Sequence, residues 1–453
     1  MATITERRPV VQRRSTAARA STVDNLRVGL RVLLPMFAEG AVIRRPLVTA
    51  LADRLGWEQG IVEVMTDLRR RYGDGPLLIR LADRRAALVL ARDDVGHVLA
   101  GSPEPFTAAT REKLAALRQF QPYGVLLSTG DLRHHRRVFN ARVLDLGQAM
   151  HRLAGSITRV VEEEVTQMLD AGPATLDWPR FAQTHGRIVR RIVLGDRARD
   201  DVALSRQLDC LRRRANWSYL LPVAERRRRA FQERLNEYLR AAQPGSLASV
   251  VAATTAKPGV DPYGQVPHWL FAFDAVGAST FRALAALAAD RAARSLVEDE
   301  CQPGVAERPW LAASILEAVR LWPTTLVILR DTTTDLRWRG VDLPAGTAVV
   351  IVSSFFHRDP TAIRSANQMD LHSWMDGTFE ADPGIVPFSG GAVSCPGRDL
   401  VTFTGATMLG LILADHDVRL VHPRLDPTAL PLSLDHFRIR FAVTPRSGGG
   451  VGR

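Results

Sequence analysis

Helical periodicity runs through most of this 453-residue chain and leaves room for little else. Alanine-, leucine- and arginine-rich stretches at helical spacing predict helices from roughly 105 to 240 and from roughly 262 to 322. Strand-like runs lie outside those intervals. "PLLIRLADRRAALVLA", from Pro76 to Ala91, reads as a hairpin around a charged turn. "LVILRDTTTDLRWRGVDLPAGTAVVIVSS", from Leu326 to Ser354, reads as two or three strands, and a last pair is expected near "VRLVHPRL" and "FRIRFAV". "AAQPGSLASVVAATTAKPGVDPYGQ" interrupts the helices with proline, glycine and serine but does not separate domains. The expectation is a mainly α fold: one large helical domain over 25–445, with a small β-rich part drawn from both ends. Residues 1–24 read as a disordered basic segment and 446–453 as a flexible glycine-rich tail.

Charge and cysteine usage narrow the function. The formal charge of +12 comes mostly from arginine, in "RRPVVQRRSTAAR", at Arg212 to Arg214 and at Arg226 to Arg229. Neither zinc-finger spacing nor aromatic–basic interleaving accompanies those clusters, which argues against nucleic acid and for solvated helix faces or an acidic protein partner. The three cysteines, Cys210, Cys301 and Cys395, are too few and scattered for a disulfide framework or a zinc site, which suits a cytoplasmic setting. No run reads as a membrane span or secretory signal. "LRVGLRVLLPMFAEGAVI" has an apolar face that suits either a docked helix or a membrane surface.

Three motifs carry chemistry. "VPFSGGAVSCPGRDLV", from Val386 to Val401, frames Cys395 with glycines at the start of an apolar helical pattern. Backbone N–H groups and a helix dipole favour a thiolate there, although a small buried cysteine in a tight loop explains the stretch equally well. In "LEAVRLWP", Glu317 and Arg320 lie three apart on one helix face and can pair. In "FAFDAVGASTFRALAAL", Gly277 and Thr280 are costly in an apolar helix. They mark either a turn loosened by hydroxyl back-bonding that admits water, or a packing notch.

In this order and register, the three motifs resemble the cytochrome P450 superfamily of haem-thiolate proteins, over residues 25 to 445. The resemblance implies heme b ligated by Cys395, with Phe388 beside the sulfur and Gly391 and Gly397 giving clearance. It implies a structural ion pair, Glu317–Arg320, and a distal alcohol, Thr280. It assigns Arg136 and Arg330 to the haem carboxylates. The implied activity is oxidation of an apolar small molecule, such as a secondary metabolite, with dioxygen and electrons from a ferredoxin-type donor. Pocket walls are expected from Phe106 to Tyr123, Trp217 to Val223, Phe273 to Thr280 and Thr324 to Ile328.

The sequence departs from the family pattern at several places. Val393 stands two before the cysteine, where Arg or His is usual, and Leu132 stands four before Arg136, where His or Trp is usual. His134 and His135 are candidate substitutes, or ordinary surface residues. Ser279 replaces the acid before Thr280, and Asp274 is the other candidate for proton delivery. The arginine that completes the ion-pair triad is missing, with His372 nearest. These losses leave a peroxide-using, reducing or rearranging enzyme, or a non-catalytic haem sensor, as rivals to the monooxygenase.

Overall fold

The hairpin expected over Pro76–Ala91 forms, and the main sheet grows from it. The computed structural model describes residues 18–40, 42–81, 84–170, 174–302 and 304–446. Its strands are β1 (Ala18–Arg19), β2 (Leu77–Leu81), β3 (Arg84–Leu88), β4 (Phe106–Thr107), β5 (Thr175–Asp177), β6 (Val327–Thr332), β7 (Leu336–Trp338), β8 (Val341–Leu343), β9 (Ala348–Val352), β10 (His416–His422) and β11 (Arg440–Pro445). β2 and β3 pair antiparallel with Leu77 opposite Leu88. Strand β9, wholly buried, inserts between β3 and β6, so the six-stranded order is β1-β2-β3-β9-β6-β4. Its run Ala348-Val-Val-Ile-Val352 is the continuous apolar pattern of a strand covered on both faces. The expected last pair, β10 and β11, is antiparallel, and β5 adds a third strand that the sequence did not announce.

The basic start is ordered closer to the N-terminus than the sequence suggested. Ala18 and Arg19 pair parallel with Leu77 and Leu78, and a helix starts at Thr22 with Ser21 as its N-cap. The expected disorder therefore fails for residues 18–24, while residues 1–17 and the tail 447–453 lie outside the described residues.

The helices that matter below are α1 (Thr22–Val28), α2 (Leu34–Glu39), α3 (Pro46–Arg54), α4 (Arg92–Ala100), α5 (Arg111–Leu117), α6 (Gly130–Val143), α7 (Ala154–Asp170), α8 (Trp178–Leu194), α9 (Val202–Ala215), α10 (Val266–Ala289), α11 (Pro309–Leu321) and α12 (Arg398–Ala414). Helix α10 is apolar on nearly every face, and such a helix must be enclosed. It packs on α8, α11 and α12, with α7 behind α8 and α12, in the larger of two hydrophobic clusters. By length and composition alone, Tyr263–Ala289 could cross a membrane, contrary to the sequence reading, but most of it is buried inside this protein. The second cluster lies between the main sheet, α4 and the buried face of α1–α2, through Val28, Val32 and Met36. A cavity of about 1860 Å³ opens between these two bodies.

Candidate active site

Cys395 reaches the cavity from a loop with little freedom. Its N–H donates to Phe388 O at 2.9 Å, and the Ser394 N–H donates to Gly391 O at 3.1 Å. Gly391 has φ +63°, and a Cβ there would meet the carbonyl oxygen of Leu99, at the end of α4, at 2.1 Å. Its expected clearance is thus spent against α4 rather than at the cavity. Gly397 does face the cavity, and a Cβ there would meet nothing closer than Leu144 at 3.8 Å. Burial pushes the Cys395 thiol pKa up, while backbone N–H groups of Gly397 and Arg398 and the charge of Arg137 act the other way. Phe388 and Val393 line the same wall. Among the described residues no three His, Cys, Asp or Glu side chains converge as a metal site.

Behind that wall lies a closed polar network. Glu317 and Arg320 are both 0% exposed, joined by bonds of 2.8 and 2.6 Å. Arg320 also donates to the backbone oxygens of His357, Ala366, Ser365 and Gln368. Glu317 accepts from Asp370 N and from Trp374 Nε1, each at 2.8 Å. The missing third member is therefore Trp374, whose indole N–H fills the place expected of an arginine. His372, the expected stand-in, is exposed and sets its ring edge-on to Trp310. A buried Trp N–H needs an acceptor, and that was the signal available in "DLHSW".

Four cations crowd the cavity near Cys395. Arg330, on β6, donates to Ser102 Oγ, Leu329 O and Ser389 Oγ at 3.0, 3.0 and 2.9 Å. Arg137, on α6, donates to Ser394 O at 2.5 Å and to Ser394 Oγ at 3.3 Å. Arg133 lies one turn earlier on the same face, with no carboxylate partner among the described residues. Lys113, on α5, lies deep in the protein with its accessible face on the cavity, and donates to Leu329 O at 3.1 Å. Burial, with Arg330 and Arg133 close by, lowers its pKa to about 7, and burial next to Arg133 takes Arg330 to about 10. Glu112 and Asp331, the nearest acids, are held by Arg84.

This corrects the sequence assignment by one position. Arg136 points away from the cavity toward Asp261 and Tyr123, and its buried Nε has no partner among the described residues. His134 is exposed, His135 is half-buried, and the two rings meet edge to face. Leu132 is exposed. Residues 133 and 137 are four apart and share a helix face, and residue 136 is turned about 100° from 137. "LRHHRR" offers both phases, and only the packing of α6 selects one.

The opposite wall is corrected in the same way. Ser279 lines the cavity and its Oγ donates to Ala275 O at 3.0 Å, which makes it the back-bonding hydroxyl of α10. Thr280 is fully buried away from the cavity. Its Oγ1 has no hydrogen-bond partner among the described residues and packs where a Cβ on Gly405 of α12 would come within 2.7 Å. Gly277 admits the ring of His185, 2.9 Å from where a Cβ would stand, so it is a packing notch and not a loosened turn. Burial lowers the His185 pKa to about 4, which leaves the ring neutral. Asp274 faces the cavity in an ion pair with Arg212 of α9, which also bonds Asp209 at 3.0 Å. Of the expected pocket walls, Thr324 to Ile328 line the cavity throughout, Phe273 to Ser279 except for Gly277, and Trp217 to Val223 only through Tyr219.

A sequence model of the family described as cytochrome P450 matches residues 293–436, the stretch holding Glu317, Arg320, Arg330 and Cys395. Pentalenene oxygenase of Streptomyces avermitilis is 33% identical over 140 residues, covering 30% of this chain and 31% of that protein. Cholesterol 22-hydroxylase of Paris polyphylla is 30% identical over 130 residues, covering 26% of this chain and 27% of that protein. The aligned parts thus span under a third of those curated relatives' length. In solved structures, a retinoic-acid-bound cyanobacterial CYP120A1 superposes with a TM-score of 0.68 at 16% identity, over 84% of this chain and 94% of that one. That likeness shows a mainly α fold with a small β-rich part, and within it residues 293–436 match the cytochrome P450 family model.

Proposed function

We propose that the protein is a haem-thiolate monooxygenase that oxidises an apolar small molecule. The observation that carries this is the juxtaposition of Cys395 with four cations, Arg133 and Arg330 buried and Arg137 and Lys113 half-buried, that find mostly neutral acceptors. Buried ammonium and guanidinium groups at mutual repulsion call for anions. A porphyrin with two carboxylates and an iron that takes one thiolate fits that donor set. Arg133 and Arg137 would hold one carboxylate, and Arg330 with Lys113 the other. Lys113 thereby compensates for Val393. Ser102 and Ser389 hold the Arg330 guanidinium in place before any ligand arrives.

When bound, the haem supplies dioxygen chemistry, with the thiolate pushing electron density toward O–O cleavage. The chain supplies position and protons. Ser279 Oγ carries the proton at the cavity wall, in the role first assigned to Thr280. Asp274, the single carboxylate of α10, is held by Arg212 and replenishes that proton through water. The apolar wall formed by Phe271, Phe273, Val276 and Leu326 excludes bulk water and favours a greasy substrate. Secondary metabolites of terpenoid type suit it, as the name of the Streptomyces relative suggests for that protein. A ferredoxin-type donor in the cytoplasm suits the basic surface, with a formal charge of +12. Turnover of apolar candidates with a reduced ferredoxin, against hydrogen peroxide alone, tests the reading. Activity with peroxide only would replace it by a peroxide-using enzyme.

A further inference from the structure

Helix α10 carries one stripe with a polar side chain at each end and nothing bulky between. His268, Ala272, Ala275 and Ser279 all line the cavity, and at 100° per residue they fall within about 60° of one another around the helix. Both alanines end at Cβ and are half-buried, so the cavity comes close to the helix backbone along this stripe. Ser279 marks the end where protons are handled. His268 stands three turns away, about 16 Å by helical rise, and takes no part in that step. Its Nδ1 is shut in without a hydrogen-bond partner, and Nε2 has none either among the described residues. The ring lies 5.8 Å from that of Phe271, which meets Phe120 edge-on at 5.5 Å. Gln119 and Gln121 flank Phe120 and are buried, and their amide oxygens accept no hydrogen bond among the described residues. This end of the cavity is apolar, with neutral polar groups left unpaired.

The partner that His268 lacks is an uncharged one. Burial alone lowers its pKa to about 4, and no charged side chain among the described residues bears on it. The ring is therefore neutral at pH 7, and a carboxylate or ammonium brought beside it would lose its water without gaining a counter-charge. The charges of the cavity gather elsewhere. Arg133, Arg137, Arg330 and Lys113 lie near Cys395, and Arg212 is engaged by Asp209 and Asp274. A hydroxyl fits, because it donates to a bare ring nitrogen or accepts from a protonated one, whichever tautomer the imidazole takes. An unpaired polar atom in an apolar wall is costly, so the site gains when a hydroxyl arrives and discriminates against a ligand without one. Ordered water is the rival occupant, and it would leave an alcohol no advantage over the matching halide.

The geometry points to His268 as the anchor for a hydroxyl on an otherwise apolar substrate, which lies along the Ala272–Ala275 trough with its reacting carbon toward Ser279. The anchor stands on His268 and the cavity alone, and the position of the reacting carbon rests on the monooxygenase reading above.

Isothermal titration calorimetry of the full-length holoprotein with 1-decanol, 1-chlorodecane, decanoate and decylamine tests this. The expected result is that 1-decanol binds about tenfold tighter than each of the other three. His268→Phe should remove that advantage and leave the affinity for 1-chlorodecane within about twofold. His268→Asn keeps a donor and an acceptor and should retain most of the advantage. Far-ultraviolet circular dichroism and haem content should stay at wild-type values in both variants. In turnover with reduced ferredoxin, 1-decanol should be oxidised in the half of the chain remote from its hydroxyl, and His268→Phe should scatter the products. Equal binding of 1-decanol and 1-chlorodecane, or an advantage that survives in His268→Phe, overturns the proposal. So does tighter binding of decanoate or decylamine, or oxidation beside the hydroxyl. The calorimetric comparison does not depend on the haem chemistry, so a protein that prefers 1-decanol but lacks thiolate-ligated haem would refute the monooxygenase reading and leave the His268 anchor standing.

Discussion

The two walls of the cavity are built to different standards. The Cys395 wall is over-determined: Glu317 and Arg320 satisfy six neighbours without exposure, and position 391 takes only glycine because α4 leaves no room for a Cβ. The α10 wall is sparse. Ser279 bonds its own helix, Thr280 Oγ1 and His185 Nε2 lack partners among the described residues, and one arginine serves both Asp209 and Asp274. A wall that must hold one atom at a fixed place is rigid, and a wall that handles protons and varied substrates keeps unspent polar groups. Four experiments can break or sharpen that contrast.

The largest effect is expected on the rigid side. Glu317→Gln leaves Arg320 buried beside a neutral partner, and such losses cost about 3–5 kcal/mol. The variant should express poorly and lose haem, as read by urea denaturation and the haem-to-protein absorbance ratio. Full stability in Glu317→Gln would show that the network is decorative. Trp374→Phe removes one bond of the same network and should destabilise by about 1–2 kcal/mol.

Next come the cations. Arg137→Leu and Arg133→Leu should each speed haem transfer to apomyoglobin about tenfold, while Arg136→Leu leaves it unchanged. Equal effects of Arg136→Leu and Arg137→Leu would undo the assignment of the α6 face.

On the sparse side, Ser279→Ala should divert electrons into hydrogen peroxide and lower coupled turnover by roughly tenfold or more. Thr280→Val should stay within about twofold and not lower stability, because the hydroxyl it removes is buried and unpaired. The reverse ranking would restore Thr280 as the distal alcohol.

The last test is a pH dependence of stability. Lys113 has a pKa of about 7 against an ordinary 10.5. Between those values the unfolded chain binds more protons, so apoprotein stability should rise from pH 7 toward 10.5, and the penalty is complete below pH 7. Haem carboxylates held as proposed would raise the Lys113 pKa and flatten the slope, and Lys113→Met should remove it. Parallel urea titrations of the apo and holo forms at pH 7 and 9.5 would show this. An identical slope in Lys113→Met assigns it to other groups.

The same contrast decides what could be read from the sequence. Features of the rigid wall require rare residue types, such as glycines about a cysteine or an ion pair in an apolar helix, and these stand out in a linear string. Helices and the larger strands followed from periodicity, whereas β5, three residues long, carries no pattern of its own. Errors arose where adjacent residues offer the same chemistry in different phases. Arg136 and Arg137, or Ser279 and Thr280, differ by about 100° of helix rotation, which tertiary packing alone resolves. Lys113 was missed because an isolated lysine on a charged helix reads as surface. Trp374 was missed because a triad of charges was sought where an indole N–H suffices.

The central claim is that Cys395 presents a thiolate to haem iron at the cavity wall. Reduction of the purified protein under carbon monoxide tests it most directly. The account predicts the red-shifted Soret band of thiolate-ligated haem in the wild type, and its disappearance in Cys395→Ala with circular dichroism preserved. A wild-type protein that binds haem without that band, or a Cys395→Ala variant that keeps it, would contradict the account.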